Sequence, residues 1–169
     1  MGIVGQKCMS MKKLRLLMLC ALATISLAAN AVIQSGKCGD NVNYTLSDDG
    51  TLEITGTGDM YNWGVWNNNS PWYAQRESVV TVRIGDGVTS IGKSAFALCS
   101  DLTSVIVPNS VTSIEEKAFT WCISLTSVII PNSVTSIGED AFSACHGLTS
   151  IIIPNSVTSI GRGAFYGCM

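Results

Sequence analysis

Four cysteines, Cys99, Cys122, Cys145 and Cys168, recur at intervals of 23 residues. Thiols at positions of that kind could ligate a soft metal, pair as disulfides or simply fill a core. The close paired spacing of a zinc site is missing, so a metal centre is not expected. Disulfides between neighbours are conceivable in an exported chain, but rigid stacking rarely offers the dihedral they require. The remaining reading is a column of small buried side chains. Cys38 stands apart from the column. His146 is the single histidine, and the equivalent positions hold Ser100 and Ile123, so no fixed acid or nucleophile accompanies it. The acidic pairs Asp48-Asp49, Glu115-Glu116 and Glu139-Asp140 are adjacent in sequence. Adjacent carboxylates seldom face one substrate as acid and base, which makes them solvated surface. Phosphate loop, dinucleotide fingerprint and nucleophile elbow are not found. No catalytic residues are therefore assigned, and no enzyme, metal or cofactor is expected.

The cysteine spacing leads to the element that carries it. Val88–Ser110, Val111–Ser133 and Val134–Ser156 are near-identical copies, a fourth begins at Val157, and Val79–Gly87 is an imperfect half-copy. A period of this length lies in the range of leucine-rich repeats. The trios Leu102/Val105/Val107, Leu125/Val128/Ile130 and Leu148/Ile151/Ile153 stay apolar from copy to copy, and Val79/Val82/Ile84 match them. The last two of each trio are two residues apart and so share one face of a short strand. An amphipathic helix would be the alternative, but β-branched content and the closing prolines Pro108, Pro131 and Pro154 oppose it. Val-Thr-Ser-Ile forms a second extended segment, bent onward by Gly92, Gly138 and Gly161, with Glu115 in the remaining copy. The predicted fold is a β-rich solenoid, a leucine-rich-repeat stack of short parallel strands with an N-terminal β-hairpin cap.

The outward residues of the main strand then form two rows: Thr81, Ser104, Ser127 and Ser150, and Arg83, Ile106, Ile129 and Ile152. Isoleucines in register on an exposed face make an apolar strip, the usual mark of an interaction surface. The bland explanation is that β-branched residues favour strands. Trp121 is a second candidate, because its column otherwise holds Leu98, Ala144 and Gly167.

Three segments are expected. Residues 1–31 read as a signal peptide: Lys12, Lys13 and Arg15 precede the apolar run Leu16–Leu27, and Ala29-Asn30-Ala31 offers the cleavage site. No membrane span is expected once it is removed. Residues 32–78 are a leader that caps the stack. Tyr44–Leu46 and Thr51–Thr55 flank a turn containing Asp49-Gly50. Trp63, Trp66, Trp72 and Tyr73 supply apolar bulk for the cap, although Tyr61-Asn62-Trp63 to Trp66 would also suit sugar stacking. Residues 79–169 are the repeats, the last one incomplete. Beyond residue 31 the chain holds six basic and twelve acidic residues, a net charge of −6 that gives no general attraction for nucleic acid or anionic lipid.

The string VTSIGxxAFxxCxxLTSVxIPNS closely resembles the BspA-like leucine-rich repeats of bacterial surface proteins, and GKCGDN, YTLSDDGTLEITG and SPWY resemble the leader that commonly precedes them. The resemblance covers residues 36–168. It implies a secreted or cell-surface protein that binds other proteins, with adhesion to host extracellular matrix or to another cell surface, and it brings no catalytic motif. Glu115 and the short array depart from the pattern. A truncated structural fragment of a longer array and a carbohydrate-binding accessory protein are the alternatives. An incomplete last copy leaves a strand edge that either meets further repeats or self-associates edge to edge.

Overall fold

The computed structural model describes residues 30–64 and 70–168. The expected signal peptide therefore falls almost wholly outside the described residues, as does Trp66. Among the described residues, no helix is long and apolar enough to cross a membrane.

Repetition at one coil per 23 residues fixes the architecture. The main strands β1 (Val32–Lys37), β2 (Val42–Ser47), β3 (Thr51–Gly56), β5 (Thr81–Ile84), β7 (Ser104–Ile106) and β9 (Ser127–Val128) line up in that order in one sheet. The second extended segments form another sheet from β4 (Gly58–Asp59), β6 (Val88–Ile91), β8 (Ser113–Ile114), β10 (Ser136–Ile137) and β11 (Ser159–Ile160). Within the repeats both sheets are parallel, and equivalent residues lie opposite one another: Val82 beside Val105, Val105 beside Val128, Ile91 beside Ile114 and Ile114 beside Ile137. A parallel pair needs a crossover, and here the crossover is the rest of the coil.

The cap is larger than a hairpin. β1, β2 and β3 form an antiparallel meander, and β3 then pairs in parallel with β5. The β2–β3 loop is Asp48-Asp49-Gly50, with Gly50 in the left-handed region at φ 78° and its N–H donated to the Ser47 carbonyl. That is the common three-residue hairpin connection, which needs glycine at its last position. β1 is the strand that sequence patterning did not reveal: all its residues except Gln34 are exposed, so no inward row betrays it.

Between the sheets lies one apolar core. Its main axis is a column of aromatic rings. Phe96, Phe119, Phe142 and Phe165 stack in sequence with centroids 5.2–5.5 Å apart. Trp72 continues the column into the leader, 5.6 Å from Phe96 and nearly parallel to it. It is fully buried and its indole N–H donates to the Ala95 carbonyl. Tyr44 and Trp63 meet Trp72 edge-on at 5.2 and 5.5 Å. Tyr44, Trp63 and Trp72 thus cover the apolar end of the first coil.

The arc that closes each coil is a string of tight turns rather than a helix. Every second N–H in it is donated forward to the next coil: Ser94 to the Glu116 carbonyl, Phe96 to Ala118 and Leu98 to Thr120, repeated by Lys117, Phe119 and Trp121 and again by Asp140, Phe142 and Ala144. Two positions per coil turn left-handed to aim those groups: Ser94, Lys117, Asp140 and Gly163 in one column, and Leu98, Trp121, Ala144 and Gly167 in the other. Gly92, Gly138 and Gly161 follow directly on the ends of β6, β10 and β11. None has a positive φ, and each is glycine because a side chain would strike neighbouring backbone, at 1.9 Å from the Tyr61 carbonyl oxygen, 2.4 Å from the Glu116 nitrogen and 2.3 Å from the Glu139 nitrogen respectively. Glu115 fits in the same column, its N–H bonded to Ile91 and its carboxylate accepting from the Ser113 hydroxyl at 2.7 Å.

Candidate functional site

The main sheet positions the outward rows. Because successive side chains alternate between faces, burying Val82, Val105 and Val128 forces Arg83, Ile106 and Ile129 outward. Register then aligns the rows: Thr81 with Ser104 and Ser127, and Glu53 with Arg83 and Ile106. Ile129 meets Ile152 through a single parallel bridge. The isoleucines grow more open along the stack, with Ile106 55%, Ile129 81% and Ile152 85% exposed. Glu53 and Arg83 set opposite charges side by side at one end, and from Ile106 onward the face is neutral.

Ser150 is the exception to the expected continuous strip. The segment Ser150–Ile153 forms only the bridge at Ile152, and the bond that joins Thr126 to the Thr103 carbonyl has no counterpart from Thr149. Among the described residues no strand pairs with its far side, and Ile153 is 38% exposed. A groove of about 270 Å³ opens between Ser127–Ile130 and Ser150–Ile152. The face therefore offers apolar branched side chains, hydroxyls and a shallow groove, which suit contact with another surface.

The other candidates fall elsewhere. The cysteine column is buried except at Cys168, which is partly exposed, and all five cysteines among the described residues are free thiols. Cys122, Cys145 and Cys168 each donate an S–H to the carbonyl of the phenylalanine one coil back, Phe96, Phe119 and Phe142, at 3.1–3.3 Å. Burial pushes the thiols of Cys38, Cys99 and Cys145 up to about 12, and that of Cys122 well above its usual value. A thiol so hard to ionise is a poor nucleophile and a poor metal ligand. No group of three or more metal-binding side chains occurs among the described residues. His146 is exposed and meets the edge of Trp121 at 6.2 Å. Trp121 is 47% exposed on the arc, away from the isoleucine face. Glu116 is held below the usual carboxylate range by hydrogen bonds from Lys117 and Lys93, both at 2.6 Å. This is a surface ion pair across two coils. Tyr61 is partly exposed, with its hydroxyl bonded to Asp40 at 2.9 Å, while Trp63 packs on the core.

Two features lay outside the sequence reading. The left-handed columns show in sequence only at Gly163 and Gly167, where both become glycine in the last copy. The S–H donors follow from recurrence of cysteine rather than alanine or serine, but only coil geometry reveals the acceptor.

A family model for the BspA type leucine-rich repeat region matches residues 69–169. Among solved structures, a leucine-rich repeat protein of T. pallidum is 27% identical with a TM-score of 0.60, over 78% of this chain and 67% of that one. One from Bacteroides ovatus is also 27% identical, with a TM-score of 0.53, over 75% of this chain and 37% of that one. The chain thus spans about two thirds of the first and little more than a third of the second. No curated protein matches.

Proposed function

Since the chain belongs to the BspA-type leucine-rich repeat family, a protein-binding scaffold, we propose that it acts without catalysis as a secreted or cell-surface adhesion module. The strip of Arg83, Ile106, Ile129 and Ile152 with Ser104, Ser127 and Ser150 is its docking face. One observation carries this reading. Three isoleucines stand 55–85% exposed in one register row, where no packing requirement of the coil demands an apolar side chain. A threonine or lysine would keep the strand and avoid the cost of apolar exposure. The partner is a protein surface with apolar side chains, such as an extracellular-matrix protein or another cell's surface protein. Nucleic acid is disfavoured by the sign of the charge.

The test is capture of matrix proteins by the immobilised chain and by Ile129→Lys. That side chain touches solvent rather than core, so folding should persist, checked by circular dichroism. A buried interface isoleucine contributes about 1.5–3 kcal/mol, and capture should weaken about tenfold or more. Equal capture by both proteins would remove the strip from the account.

A further inference from the structure

We propose that the edge strand β1 pairs with β1 of a second copy of this chain, forming a closed two-fold dimer. Among the described residues β1 is bonded on one side only, to β2. The Cys38 N–H donates to the Val42 carbonyl, which sets the phase of that ladder. Residues 38, 36 and 34 therefore face β2, and the main-chain groups of Ser35 and Lys37 point outward without a strand to meet them. Both apolar residues of the strand are open as well, Val32 at 59% and Ile33 at 54%. Such an edge attracts another strand.

Two features select a second copy as the partner. An antiparallel edge is self-complementary under a two-fold axis perpendicular to the sheet. With the axis at Ser35, the Ser35 residues of the two copies exchange main-chain bonds, and each Lys37 lies opposite the other copy's Ile33. Charge agrees with this register. Lys37 ends the strand at one side, and the Asp48-Asp49 loop lies at the other, next to the pairing of Val32 with Ser47. The antiparallel arrangement brings each ammonium toward the acidic loop of the other copy, and the aliphatic stem of the lysine covers Ile33. Asp49 accepts from both the N–H and the hydroxyl of Thr51, which leaves Asp48 as the acceptor. The bulge between Val32 and Gln34 shortens the usable edge. Pairing consumes both β1 edges, so the assembly closes at two copies instead of growing. Both outer sheet faces then look the same way.

Sedimentation velocity across a wide concentration range tests the proposal on the purified chain. A reversible monomer–dimer equilibrium is expected. Ser35→Pro removes an outward N–H and leaves the β2 ladder intact, so dimerisation should weaken about tenfold or more. Lys37→Glu should weaken it too, and Lys37→Glu combined with Asp48→Lys should restore it. Circular dichroism and a urea melt confirm that each variant is folded. A chain that stays monomeric at every concentration overturns the proposal. So does a dimer indifferent to Ser35→Pro, growth beyond two copies, or failure of the charge swap to restore association.

Discussion

The aromatic column makes a quantitative claim about where stability resides. Phe119 is fully buried and has a ring on each side, Phe96 at 5.3 Å and Phe142 at 5.2 Å. Phe165 has one ring neighbour, Phe142 at 5.5 Å, and is only partly buried. Truncating a buried phenylalanine to alanine costs about 3–5 kcal/mol, including the cavity. Each ring pair is worth about 0.5–1.5 kcal/mol beyond burial. Phe119→Ala should therefore cost about 5 kcal/mol and Phe165→Ala about 2 kcal/mol. Because total stability of a small domain is about 5–15 kcal/mol, the first variant can unfold outright. Phe119→Leu separates the terms: it keeps most of the volume, loses both ring contacts and should cost about 1–2 kcal/mol. Urea denaturation at a common slope reads all three as midpoint shifts. Nearest-neighbour coupling predicts a further asymmetry, since loss at Phe119 severs two coil interfaces and loss at Phe165 only one. Equal costs at the two positions, or a leucine variant as damaged as the alanine variant, would refute the view that stacking between coils carries the stability.

The buried thiols make the fold sensitive to alkali. Their folded values stand near 12 for Cys38, Cys99 and Cys145, against 9.0 when unperturbed, so their contribution is complete below pH 9 and is lost as pH rises toward 12. Each contributes a slope of about 1.4 kcal/mol per pH unit in that window, and Cys145→Ala should flatten the decline measured by urea melts at pH 8 to 11. A thiol reagent applied to the native chain should label Cys168 first, because it alone in the column is partly exposed; early reaction of Cys122 would contradict the packing. Gly50→Ala should destabilise by about 1–3 kcal/mol, because φ is 78° there and the new methyl would lie 2.5 Å from the Ser78 carbonyl oxygen. A thermal melt within a degree of wild type would show the loop to be adjustable.

What the sequence disclosed follows from what repeats. A residue that recurs once per coil is tested against the same neighbours in every copy, so its environment can be inferred from its column. The inward Val105/Val128 rows, the outward Ile106/Ile129/Ile152 row and the thiol column were all legible for that reason. β1 has no second copy and no inward row, and its role is set by main-chain bonds to β2, on which side-chain pattern is silent. The weak pairing of Ser150–Ile153 is likewise invisible in sequence, because its residues match those of β7 and β9 almost one for one. The difference lies in what flanks it: β7 has a strand on each side, and Ser150–Ile153 has one neighbour and a single bridge. Identical residues thus differ in exposure, 55% at Ile106 and 85% at Ile152, with their strand pairing among the described residues. The same reasoning applies to binding. If the strip docks a partner, Ile129 and Ile152, with the groove between their strands, should matter more than Ile106, whose neighbours already cover half of it. Alanine replacement of each in turn, read by capture, should rank them in that order, and an even loss across the three would mean that the partner reads the sheet face rather than the groove.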